Sequence, residues 1–198
     1  MRRGILGGTF DPPHLAHLVA GEAAYRQLGL DMVSFLPAGA PWQKAGREVS
    51  AATHRWEMTR RAVAGVAYFE PDDREVRRDG WTYTVDTLTT YPDDTELVLV
   101  LGADAAAGLR SWKDPDGILE RASIAVMRRP GSDLDAVRDA VGDVAVLDTP
   151  ELAVSGTMLR RRRAEGRSIR FLVREAVHDY LVAQDLYRSE GPASAGAG

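Results

Sequence analysis

Short apolar runs along the chain alternate with longer segments of helical periodicity. The first run, Arg3–Leu6, is strand-like and ends at Gly7-Gly8. His14–Leu28 then repeats apolar residues at helical spacing, with Leu15, Leu18, Val19 and Ala23 placed on one face. Met32–Leu36 is a second strand, stopped by Pro37, and a loop containing glycine and proline runs on to Ser50. A helix is predicted over Ala52–Val63, short strands at Tyr68-Phe69 and Glu75–Arg78, and a short helix over Tyr83–Thr90. Leu97–Leu101 is continuously apolar, the mark of a strand covered on both faces in a parallel sheet, and it ends at Gly102. Ser123–Met127 and Val144–Leu147 are two further strands of that kind, with Leu134–Val141 helical between them. Helices follow over Thr157–Ala164 and Val173–Gln184.

Strands alternating with helices predict an α/β protein: a doubly wound, Rossmann-like parallel sheet with C-terminal helices. There is no internal repeat and no linker-like stretch. One domain is therefore expected over residues 1–188, with the small polar residues 189–198 a disordered tail. At 198 residues the chain is long enough for a substantial core. It has no apolar run near the ~20 residues of a membrane span. Met1-Arg2-Arg3 leads straight into the first strand with no signal-like stretch, so a cytoplasmic protein without membrane contacts is expected. The absence of cysteine excludes disulfides and thiolate metal sites. A net charge of −4 argues against nucleic-acid binding through bulk charge.

The chemistry concentrates in two places. Gly7-Gly8-Thr9-Phe10-Asp11-Pro12-Pro13-His14-Leu15-Ala16-His17 directly follows the first strand. Two glycines at a strand's carboxyl end let backbone approach a ligand closely. His14 and His17, three apart at a helix start, can face the same side, where the helix dipole already favours anions. A phosphate site follows. The competing readings are a metal site, which lacks cysteine and an evident third ligand, and ordinary half-buried histidines. The order of glycines matches neither a dinucleotide-binding fingerprint nor a P-loop. The second place is Ser155-Gly156-Thr157-Met158-Leu159-Arg160, where a helix start again offers a hydroxyl and a cation to an anion. A plain N-cap explains the same residues.

Together these stretches resemble the H-x-G-H nucleotidyltransferases, and within them the bacterial nicotinate-nucleotide adenylyltransferases. Tyr83-Thr84-Val85-Asp86-Thr87-Leu88, Gly102-Ala103-Asp104 followed by Trp112, Arg129-Pro130-Gly131 and Ser168-Ile169-Arg170-Phe171-Leu172 extend the likeness through nearly the whole chain. Three positions depart from the family: Ala16 for the Gly between the histidines, Gly156 for a second Ser, and Arg174 where the family often has Pro. A side chain at 156 is expected to be dispensable if the backbone amide does the work there.

The resemblance implies transfer of AMP from ATP to nicotinate mononucleotide, giving deamido-NAD and pyrophosphate in NAD biosynthesis, with Mg²⁺ carried on the nucleotide. It implies His14, His17, Lys44 and Arg160 as catalytic. Gly7, Gly8, Thr9, Phe10, Gly102, Asp104, Ser155 and Thr157 would bind ATP, and Lys44, Thr84 and Trp112 the mononucleotide. The same reaction on nicotinamide mononucleotide or phosphopantetheine, and a non-catalytic nucleotide sensor on this scaffold, are the alternatives.

Overall fold

The structure is a computed structural model and describes residues 1–41, 49–128 and 131–188. Among them the main sheet has six parallel strands: β1 (Arg2–Gly8), β2 (Met32–Pro37), β4 (Phe69–Pro71), β6 (Glu96–Gly102), β7 (Ala122–Met127) and β8 (Ala145–Leu147). Their spatial order is β4-β2-β1-β6-β7-β8, so the winding reverses between β1 and β6. Both strands end in glycine at their carboxyl ends, Gly8 and Gly102. In open α/β sheets this reversal opens a crevice suited to a ligand.

Alternation along each strand divides the core into two layers. On one face lie Ile5, Leu36, Leu97, Leu99, Leu101, Ile124 and Val126; on the other lie Leu6, Val33, Phe35, Val98, Val100 and Ala125. This accounts for the unbroken apolar run of β6, since both of its faces are buried. Each such aliphatic contributes about 1.5–3 kcal/mol over leaving it in water. The first layer is covered by α3 (Thr84–Leu88), α4 (Ala103–Ala107), α5 (Pro115–Arg121) and α6 (Leu134–Val141), the second chiefly by α1 (Leu15–Leu28). A third cluster joins α2 (Ala52–Val63), α7 (Gly156–Ala164) and α8 (Glu175–Ala183) around Met58, Leu159, Val177 and Leu181.

Several local expectations change. In α1 the fully buried stripe is Ala20, Gly21, Ala23 and Ala24, while Leu15, Leu18 and Val19 are half-buried. Small residues let the helix lie close on Phe35 and Phe69. Glu75–Arg78 is a turn rather than a strand: the Arg74 amide donates to the Asp72 carboxylate at 3.0 Å, and the Arg78 amide to the Glu75 carbonyl at 3.2 Å. Two short strands that the hydrophobic pattern does not announce, β3 (Ala40–Pro41) and β5 (Trp81–Thr82), pair in parallel. Arg174, the departure from the family's proline, donates to the carbonyls of Ala62 (3.3 Å) and Ala64 (2.7 Å) at the end of α2, where a cation complements the helix dipole. The expected tail, residues 189–198, lies outside the described residues.

Candidate active site

A cleft of about 450 Å³ opens at the carboxyl ends of β1 and β6. Gly7, Gly8, Thr9, Gly102, His17, Thr84 and Trp112, all expected site residues, line it. A Cβ at Gly7 would meet nothing within 4 Å, so the absent side chain leaves space in the cleft. Trp112 is both half-buried against the core and part of the cleft wall, so the structural and ligand-facing readings of this residue coexist. Lys113 holds this stretch in place: its ammonium bonds the Asp86 carboxylate of α3 at 2.8 Å and sits 4.6 Å from the centre of the Tyr83 ring.

His14 takes an extended backbone conformation as the N-cap of α1. Its imidazole stacks on that of His17, ring centroids 3.8 Å apart and planes 23° from parallel. The His14 amide donates to His17 Nδ1 at 3.2 Å. With Nδ1 accepting, the ring proton of neutral His17 resides on Nε2, which makes Nε2 a donor. Two amides of this helix start are already engaged: the Leu15 amide donates to the Leu172 carbonyl at 3.1 Å and the His17 amide to the His14 carbonyl at 2.9 Å. The donors left for an anion are chiefly the side chains. Phe10 is not a ligand contact through its ring, which is buried edge-on to His17 (centroids 4.9 Å). It supports the histidine from beneath.

The two motifs at opposite ends of the chain meet here. Ser155 caps α7, its hydroxyl accepting from the Met158 amide at 3.2 Å. One turn on, Arg160 Nη1 donates to the Asp11 carbonyl at 2.7 Å, and Nη2 lies 3.4 Å from the Thr157 hydroxyl. Asp11, Thr157 and Arg160 share an open cavity of about 610 Å³ with Tyr187. The Tyr187 hydroxyl donates to the buried Asp11 carboxylate, and burial together with that negative neighbour raises the Tyr187 pKa. A side chain at 156 is not indifferent, since a Cβ there would come within 2.9 Å of the Asp11 carbonyl oxygen and the helix start would have to shift. Asp104 is exposed in the first turn of α4, beside Gly102 but outside the cleft lining. Ala16 lines a small cavity with His14, His17, Arg128 and Thr149. Lys44 lies outside the described residues, as do Arg129 and Pro130.

Two contributors carry no sequence signal of their own. Arg55, buried in α2, donates to the carbonyls of Ser50 (2.9 Å), Thr9 (3.0 Å), Gly39 (2.7 Å) and Ala38. Burial lowers its pKa, against the opposing charge of Asp11. Among three arginines in one helix, nothing local marks the one that turns inward. Glu75 is the other, a carboxyl in the cleft wall. Among the described residues no cluster of three or more His, Cys, Asp or Glu side chains could hold a metal ion.

The chain matches the Cytidylyltransferase-like family over residues 5–162. It is 44% identical to a Salinibacter ruber protein named "Probable nicotinate-nucleotide adenylyltransferase", over 95% of this chain and 98% of that one. It is 41% identical to a Corynebacterium glutamicum protein of the same name, over 96% and 90%. A structure of Plasmodium falciparum nicotinic acid mononucleotide adenylyltransferase complexed with NaAD superposes with a TM-score of 0.80 at 16% identity, covering 94% of this chain and 97% of that one. That likeness is one of fold. Family match and high-coverage identity agree: the chain belongs to the Cytidylyltransferase-like family and, within it, to the nicotinate-nucleotide adenylyltransferases.

Proposed function

We propose that the protein transfers AMP from ATP to nicotinate mononucleotide, releasing pyrophosphate and forming deamido-NAD. The observation that carries this reading is the meeting of the His14/His17 and Ser155–Arg160 motifs beside the β1/β6 crevice in a chain of this family. An oxygen of the mononucleotide phosphate attacks the α-phosphorus of ATP in line. The bond from that phosphorus to the bridging oxygen breaks, and pyrophosphate leaves with the electron pair. The attacking phosphate is already anionic, so positioning and charge stabilisation matter more than a general base.

His14 and His17 donate to the phosphate oxygens on which charge builds. Arg160, with the Ser155 and Thr157 hydroxyls, holds the β- and γ-phosphates. Gly7, Gly8, Thr9 and Gly102 admit the nucleotide against backbone, and Phe10 acts from below through His17. Asp104, being anionic, suits a ribose hydroxyl rather than a phosphate. Trp112 offers a flat face to the pyridinium ring beside Thr84. Lys44 is assigned to the reacting phosphates by its place in the family pattern. Mg²⁺ enters with ATP, bound through its phosphates, as the family resemblance implies. No described helix is long and apolar enough to cross a membrane. A cytoplasmic location is part of the proposal.

The test is a panel of nicotinate, nicotinamide and flavin mononucleotides and phosphopantetheine, each with ATP and Mg²⁺. Pyrophosphate release and the dinucleotide product are followed by chromatography. Efficient product from nicotinate mononucleotide supports the reading. ATP binding without turnover on any acceptor would instead make the protein a nucleotide sensor.

A further inference from the structure

Glu75 belongs to neither motif, yet its carboxyl lines the cleft together with Thr82, Thr84 and Thr87. The Thr87 hydroxyl donates to Glu75 Oε1 at 2.7 Å, while the neighbouring Thr82 hydroxyl donates to the Ala40 carbonyl at 3.5 Å. These two threonines bracket Tyr83-Thr84, joining β5 to the start of α3. Arg78 braces the arrangement, donating to Thr87 Oγ1 at 3.2 Å. On its other side Glu75 abuts the loop after β2: a Cβ at Gly39 would lie 2.1 Å from the Glu75 carbonyl oxygen. The Gly39 carbonyl in turn accepts from buried Arg55. Glu75 thus touches both walls, the one carrying Thr84 through its carboxylate and the one carrying Ala38 through its backbone.

Burial raises the Glu75 pKa, against the lowering effect of Thr87, Thr82 and Arg78, with Asp72 adding to the rise. A carboxylate that the fold holds at a cost, in the wall of a cleft, is a mark of a functional group rather than of packing. A leucine of similar size would fill the space without that cost.

We propose that Glu75 is a positioning residue for the acceptor end of the cleft, fixing Thr84 through Thr87 and so setting affinity for the pyridine mononucleotide but not for ATP. This rests on the proposed activity, in which the mononucleotide occupies the end of the cleft lined by Thr84 and Trp112.

The test uses the full chain as Glu75→Leu, Glu75→Gln and Thr87→Val, with KM measured separately for nicotinate mononucleotide and ATP. Glu75→Leu and Thr87→Val both remove the Thr87 bond. Each is expected to raise the mononucleotide KM by about tenfold while the ATP KM stays within about threefold. Glu75→Gln keeps an oxygen acceptor for Thr87 and is expected to restore the mononucleotide KM to within about threefold of the parent. Equal shifts in both KM values, or none in either Leu or Val variant, would overturn the proposal. If Glu75→Leu does not fold, Thr87→Val against Glu75→Gln decides by the same split. If the parent chain itself makes no dinucleotide, the activity reading fails. Calorimetric titration with each nucleotide then decides on Glu75: selective loss of mononucleotide binding in the Leu or Val variant supports it, and anything else overturns it.

Discussion

Arg160 Nη1 donates to the carbonyl oxygen of Asp11 at 2.7 Å, bridging 149 residues of chain. The bond seats the start of α7 against the loop that carries His14 and His17. Gly156 makes the seat possible, being the residue of α7 that lies against the same carbonyl. Gly156→Ser should therefore push α7 away. Overpacking of this kind costs about 1–3 kcal/mol, or roughly 2–12 °C in Tm for a chain of this size. The ATP KM should rise with it, because Arg160 moves. An unchanged Tm and ATP KM in Gly156→Ser would mean that the helix start adjusts freely.

The imidazoles of His14 and His17 stack on each other, and in the proposed reaction they act on charge that develops in the transition state. His14→Ala and His17→Ala should each lower kcat by about 10²-fold or more, with the ATP KM changed much less. Steady-state kinetics on both variants check this. Near-normal kcat in both would leave the histidines a structural role only.

Trp112 has one side in the core and one in the cleft. Trp112→Ala should raise the mononucleotide KM by roughly tenfold, from ~1–3 kcal/mol of lost stacking, and leave the ATP KM nearly unchanged. Some loss of melting temperature is expected as well, since the residue also packs. A matched rise in both KM values would make packing its whole role.

Arg55 satisfies four carbonyls from three loop segments, and no neutral side chain can replace that fork. Arg55→Met should destabilise by ~3 kcal/mol or more, because buried carbonyls lose their donors. Arg55→Lys should recover only part of the loss. Denaturant unfolding of the two variants measures both, and parent-like stability in Arg55→Met would contradict the role given to this residue.

Glu75 also predicts a pH effect with a definite sign. Its folded pKa lies above the ordinary carboxylate value, so between the two values the folded state holds more protons than the unfolded chain. The stability contributed by this group is present below the unfolded pKa and is lost as pH rises through the folded pKa. Glu75→Gln cannot ionise. Its stability relative to the parent should therefore increase from about pH 4 to pH 7. Thermal melts of both proteins across that range show the trend, and a flat or falling difference would remove the burial argument.

The elements legible in the sequence are those whose signal is local. β6 is read from an unbroken apolar run because both of its faces are buried. α2 and α6 run over the predicted residues, and α6 is bounded by Asp133, whose carboxylate accepts from the Asp135 and Ala136 amides at 3.0 Å, and by Gly142 in the left-handed region. α5 is not among the predicted helices, since hydrophobic periodicity passes over so short an element; its signal is Asp114-Pro115, an N-cap followed by proline. The turn at Glu75–Arg78 was misread as a strand because the Asp72 side chain, not hydrophobic alternation, sets its backbone.

By itself the sequence determined the parallel α/β class, the two motifs and the family they resemble, since these depend on residue types at short spacing. That the strands ending at Gly8 and Gly102 are neighbours follows from the sequence too, as ligands in such sheets bind where the strand order reverses. Only the tertiary structure decided that Arg160 reaches Asp11 and that Gly156 lies against the same carbonyl. It also decided that Arg55, one arginine among three in α2, turns inward to hold the loops, and that Glu75 clamps the far wall. The physical reason is the same in each case. Burial and hydrogen-bond satisfaction are properties of the surroundings that distant segments supply, and a side chain's own sequence neighbours do not contain them.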